Sequence, residues 1–93
     1  MERRKLTAEE IEERLTDLPD WTVANEKLAR KFTFKNFAES LEFINRVGAI
    51  AERLDHHPDV LFGWGYAEIF ITTHDRGGIT ERDFALAREI NEV

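Results

Sequence analysis

The sequence predicts an α+β fold in which two antiparallel hairpins are covered by a layer of helices, in the order α-β-β-α-β-β-α. Two stretches alternate apolar and polar residues around short turns, at 21–34 and 60–74. Between them a long segment repeats its apolar residues at helical spacing, and capping signals mark a further helix at each end. A chain of 93 residues has room for one core, so residues 1–93 are read as a single domain.

Each element has a local reason. Thr7-Ala8-Glu9-Glu10 is a capping box, with Leu6 and Ile11 spaced for a hydrophobic staple; Ile11, Leu15 and Leu18 continue one face until Pro19 stops it. Trp21-Thr22-Val23 alternates, Asn25-Glu26 offers a turn, and Leu28, Phe32 and Phe34 share a face of the returning strand, with Arg30 as the misfit. Asn36, with Glu39 three residues on, opens a helix running to about Leu54. At about 100° per residue, Phe37, Leu41, Ile44, Gly48 and Ala51 form one apolar stripe and Phe43, Val47, Ile50 and Leu54 a second. One stripe can cover the sheet. The other needs a second partner, so a helix-mediated homo-oligomer is expected.

Val60-Leu61-Phe62 reads as a strand, Gly63-Trp64-Gly65 as its turn, and Tyr66 to His74 as the returning strand. Ala67, Ile69, Ile71 and Thr73 point one way, and Tyr66, Glu68, Phe70, Thr72 and His74 the other. A second staple and box, Ile79-Thr80-Glu81-Arg82-Asp83-Phe84, opens the last helix through Leu86, Ala87 and Ile90.

Composition narrows the function. Thirteen basic against nineteen acidic residues leave a net charge of −6, which disfavours nucleic acid and anionic membrane surfaces as partners. No apolar run approaches the ~20 residues of a bilayer span. Cysteine is absent, which removes disulfides, thiolate nucleophiles and cysteine-based zinc sites. The opening Met-Glu-Arg-Arg-Lys leads into a polar helix signal in place of an apolar signal-peptide core, so a cytoplasmic location is expected.

Chemistry concentrates in the three histidines, His56, His57 and His74, with Glu52 and Asp55 flanking the adjacent pair. Pro58 pushes His57 toward extended geometry, so the long helix ends near Asp55 or His56 and the two imidazoles diverge. Divergent rings make a poor chelating pair, and no metal is expected. Structural roles are open for each: His56 as a helix C-terminal cap, His57 as a solvated turn residue, His74 at the sheet edge, Glu52 on the wet side of its helix, and Asp83 at the third position of a capping box. Aromatics such as Trp64 and Tyr66 more often pack than serve as ligand platforms.

Glu52-Arg53-Leu54-Asp55-His56-His57-Pro58, the aromatic Trp64 six residues after the proline, Thr73-His74 and Thr80-Glu81-Arg82-Asp83 together closely resemble the pterin-4a-carbinolamine dehydratase family, over nearly the whole chain. One departure is Val60, where members often carry an aromatic residue. The resemblance implies a four-stranded antiparallel sheet with helices packed on one face, assembled as a homodimer or homotetramer through sheet edges and helices. It implies a dehydratase that converts 4a-hydroxytetrahydropterin to quinonoid dihydropterin and water, without metal or organic cofactor. His56, His57 and His74 are then the catalytic and substrate-contacting imidazoles, with His56 and His74 as the acid–base pair. Glu52, Asp55, Asp83 and Trp64 support or bind, Asp83 by orienting an imidazole. The residue types suit the reaction, because expelling the 4a-hydroxyl needs a proton donor and the N5 proton needs a base. An unperturbed imidazole, pKa about 6.5, serves either role near neutral pH. Some animal members also serve as dimerisation cofactors of a homeodomain transcription factor, so a helix-mediated binding module without activity is the alternative.

Overall fold

Three helices and four strands appear in the expected order in the computed structural model, which describes residues 4–93. Residues 1–3, where the reading of the chain start begins, lie outside the described residues. The elements are α1 (Ala8–Leu15), β1 (Thr22–Ala24), β2 (Lys27–Thr33), α2 (Phe37–Leu54), β3 (Asp59–Gly63), β4 (Tyr66–Ile71) and α3 (Glu81–Asn91). All strand pairs are antiparallel, in the spatial order β1-β2-β4-β3, so the two hairpins meet at the central β2–β4 pair. Among the described residues no helix is long and apolar enough to cross a membrane.

Local chemistry sets the helix starts. In α1 the Thr7 hydroxyl accepts the Glu10 N–H at 3.1 Å while Glu10 accepts the Thr7 N–H at 2.9 Å. The Arg4 guanidinium and the Thr7 N–H hold the Glu10 carboxyl at about 2, against an ordinary 4.5. The helix stops at Leu15, short of Pro19. Thr16 and Asp17 donate three residues back, to Glu13 and Arg14, and these tight turns swing Leu18 into the core from outside the helix.

The β1–β2 hairpin closes through Asn25 and Glu26, both with positive φ (52° and 61°), the signature of a type I′ turn. Glycine is the favoured second residue of such a turn, and a side chain there costs about 1 kcal/mol or more. Glu26→Gly is therefore expected to stabilise the protein by about 1 kcal/mol, since the exposed Lys5–Glu26 ion pair it removes is worth less. A lowered denaturant midpoint would contradict this.

The sheet buries Leu28, Ala67, Ile69 and Ile71 under α2 and α3. From α2 come Phe43, Val47 and Ala51, and from α3 Phe84, Ala87 and Ile90, all buried. Of the other stripe the start is exposed, with Phe37 at 44% and Leu41 at 40%; Ile44 packs against the core and Ala51 is buried, because the sheet and α3 reach across both stripes toward the end of α2. Ser40 lies on the buried side because its hydroxyl donates to the Gly63 carbonyl at 2.6 Å, tying α2 to the end of β3. Arg30, the misfit on the inward face of β2, is accommodated by three partners. Its guanidinium lies 4.2 Å from the Phe32 ring centroid, donates to Asn91 Oδ1 at 2.7 Å and pairs with Asp20 at 3.5 Å. Trp21 Nε1 donates to the same Asn91 oxygen at 2.8 Å, so the last residue of α3 anchors the first hairpin.

Strand β4 ends earlier than its alternation predicts, at Ile71, because Ile71 faces Leu28 at the start of β2 and the chain there turns back into β1. Inward–outward alternation persists through Thr73, held by an isolated bridge to Gly78. His74 opens a short 3-10 turn, His74–Arg76, and so is not the end of a strand.

Candidate active site

The junction between α2 and β3 separates the adjacent histidines. Asp55 adopts the left-handed conformation (φ 52°) and its N–H bonds the Glu52 carbonyl at 3.3 Å, while the His56 N–H reaches back to the Ala51 carbonyl at 3.1 Å. This is a Schellman closure, with aspartate in place of the usual glycine. The Arg82 guanidinium from α3 donates to the Asp55 carbonyl and clamps the turn. His56 is thereby directed inward and His57 outward along the extended segment before Pro58.

His56 is buried, and its Nε2 lies 2.5 Å from Oδ1 of Asp83, a carboxylate with no exposure at the first turn of α3. A buried carboxylate needs several donors. Asp83 Oδ2 accepts the Thr73 hydroxyl at 2.8 Å and the Thr80 N–H at 2.7 Å, and the N-terminal end of the helix dipole favours negative charge at that position. The capping role and the imidazole-orienting role of Asp83 are thus compatible, because each uses a different oxygen. His57 pairs instead with Glu52, and both side chains are more than half exposed. A pair so exposed contributes little to stability.

All three imidazoles border one cleft of about 330 Å³ between the end of α2 and the turn after β4. Asp55, Thr72, Thr73, Asp75 and Arg82 complete its walls. Three other depressions, each of about 300 Å³, lie beside Phe34 and Arg46, on the open sheet face around Lys31 and Phe70, and between Leu6 and Val23, and contain no histidine; a small one of about 50 Å³ between Leu54 and Ala85 is bordered by His56. Glu52 reaches the site through His57 and does not itself line the cleft. Trp64 is not brought there. It caps the β3–β4 turn at 71% exposure, and β4 runs from that turn toward the cleft, a separation of about 20 Å at ~3.3 Å per residue. Among the described residues no group of three or more His, Asp or Glu is arranged to hold a metal ion.

Thr73 and Arg82 have site contacts that the motif alone does not assign. Inward alternation puts Thr73 among apolar neighbours, and a threonine there signals a buried partner; Arg82 carries no such signal, since its contact with Asp55 depends on where α2 ends.

Residues 4–93 match the family described as Pterin 4 alpha carbinolamine dehydratase. A protein of Rubrobacter xylanophilus bearing the family's name is 48% identical over 89 residues, covering 95% of this chain and 83% of its own. Its counterpart in Sulfolobus acidocaldarius is 43% identical over 89 residues, covering 96% and 98%. The crystal structure of a transcriptional coactivator/pterin dehydratase from Brucella melitensis superposes with a TM-score of 0.91 at 33% identity, over 96% of this chain and 97% of that one. A pterin dehydratase-like protein identified as a RuBisCO assembly factor in the alpha-carboxysome shares the fold at a TM-score of 0.63 and 22% identity, over 77% and 83% of the two chains. With a match that runs through the helix ends and turns forming the cleft, the chain belongs to the pterin 4 alpha carbinolamine dehydratase family.

Proposed function

We propose that this chain dehydrates 4a-hydroxytetrahydropterins to quinonoid dihydropterins by general acid–base catalysis from its histidines, calling on neither a metal nor an organic cofactor. The observation that carries the reading is the shared cleft, in which three imidazoles meet and one is held by a buried carboxylate. In the step, the C4a–O bond breaks and the hydroxyl leaves as water with a proton from one imidazole. A second imidazole takes the N5 proton, and the electron pair of the N–H bond forms the C4a–N5 double bond. One proton given and one taken leave the protein unchanged in net protonation. His56 and His74, on opposing walls, are assigned as the acid–base pair, and His57, steadied by Glu52, as a contact to the bicyclic ring. Asp83 orients His56, and Asp55 shapes the wall between the two adjacent rings.

Glutamine at each histidine tests the assignment. His56→Gln and His74→Gln are expected to lower kcat by roughly 10²- to 10⁴-fold, whereas His57→Gln chiefly raises KM. The exposed His57 and His74 variants should melt within about 0.5 kcal/mol of the parent. Loss of rate at His57 alone, with the other two tolerant, overturns the assignment.

We further propose a cytoplasmic homodimer or homotetramer, supported by the cysteine-free composition and by the unburied stripe of Phe37 and Leu41 on α2. A monomeric mass by light scattering at micromolar concentration contradicts the oligomer. The same stripe favours a second reading, a protein-binding module without activity. Such a module would leave the dehydration rate of a 4a-hydroxypterin unchanged.

A further inference from the structure

We propose that Thr73 is a positioning residue whose hydroxyl, chained to that of Thr80, holds the Asp83 carboxylate in the orientation that presents Oδ1 to Nε2 of His56. This rests on the acid–base reading of the cleft. Thr73 and Thr80 are buried, and their hydroxyl oxygens lie 2.9 Å apart. A valine would fill the space of Thr73 without any polar group to desolvate, so the hydroxyl has to be accounted for by what it bonds.

The direction of the chain follows from counting protons. Asp83 Oδ2 can only accept, and it lies 2.8 Å from Thr73 Oγ1, so the single hydroxyl proton of Thr73 goes there. Thr73 Oγ1 then accepts from Thr80, whose own oxygen accepts the Arg82 N–H at 3.2 Å. The run Thr80 to Thr73 to Asp83 has one polarity. Together with the Thr80 N–H at 2.7 Å, it places two donors on Oδ2. Oδ1 is left to His56 Nε2 at 2.5 Å, and the hydrogen bond there is made by Nε2–H donating. Nδ1 is then the nitrogen that holds a lone pair when the ring is neutral. It has no hydrogen-bond partner among the described residues, and none of their buried side-chain nitrogens or oxygens is left unpartnered, so Nδ1 keeps contact with solvent.

Thr73 also stands between the two walls. Its N–H bonds the Gly78 carbonyl at 3.0 Å and its carbonyl accepts the Arg76 N–H at 3.0 Å, which frames the turn carrying His74. Thr73→Val keeps these backbone bonds and the branched shape and removes only the hydroxyl; Thr73→Ser keeps the hydroxyl.

The test combines ring nitrogen-15 NMR of the labelled protein with steady-state dehydration of a chemically generated 4a-hydroxytetrahydropterin. The parent is expected to show neutral His56 as the Nε2–H tautomer. Thr73→Val should keep that tautomer, because Oδ1 still only accepts, but shift the Nε2 resonance and lower kcat by about tenfold or more at unchanged KM, the scale set by one hydrogen bond to a charged acceptor, with Thr73→Ser restoring both. A parent His56 protonated on Nδ1 overturns the proposal even if no variant folds. So does a Thr73→Val protein with the parent's Nε2 resonance and kcat, or a folded Thr73→Ser protein that rescues neither. A parent without dehydratase activity sinks the proposed function instead, and the Nε2 resonance of Thr73→Val and Thr73→Ser still decides the role of Thr73.

Discussion

Asp83→Asn is expected to leave a folded protein whose kcat for pterin dehydration is lower by roughly 10²- to 10⁴-fold. The amide has the shape of the carboxylate but carries two donors on one side. With its oxygen toward Thr73 and the Thr80 N–H, its NH₂ faces His56 Nε2 and forces that nitrogen to accept, which moves the imidazole proton to Nδ1. Turned the other way, NH₂ meets two donors, and buried bonds are lost at about 1–3 kcal/mol. The first orientation is the less costly, so tautomer and rate should change more than stability. A variant with the parent's kcat would show that the pair of His56 and Asp83 serves only to hold α2 against α3.

The largest expected loss of stability is at the neighbouring position. Phe84 has no exposure and packs in the cluster that joins α3 to the central strands. Phe84→Ala removes that ring from a close-packed interior and should cost about 3–5 kcal/mol, a large part of the roughly 5–14 kcal/mol available to a chain of this length. Trp64→Ala is the control: at 71% exposure the change should stay within about 0.5 kcal/mol. Denaturant midpoints at equal slope check both, and a Phe84 variant as stable as the Trp64 variant would contradict this packing.

What was legible in the sequence is what is determined over a few residues. Both capping boxes, the turn at Asn25-Glu26, the inward set Ala67, Ile69 and Ile71, and the end of α2 before His57 depend on neighbours in the chain, and each stands where its spacing places it. What was not legible depends on partners far along it. Arg30 looked misplaced because Asn91, which receives its proton, lies sixty-one residues on. Trp64 follows Pro58 by six residues, but β3 carries the chain away from the histidines before that turn and β4 brings it back to His74, so the hairpin sets Trp64 at its far end. Alternation put Thr73 inside without revealing that Asp83 and Thr80 wait there. The early stop of β4, which sets His74 in a turn, follows from the length of its partner β2.

The rate of water loss from a chemically generated 4a-hydroxytetrahydropterin, followed by absorbance with and without the protein, tests the account most directly. Acceleration that saturates with substrate and largely disappears in His74→Gln is the result this cleft predicts. Decay at the buffer rate with well-folded protein would contradict it, and would leave the imidazoles as structural residues of a binding domain.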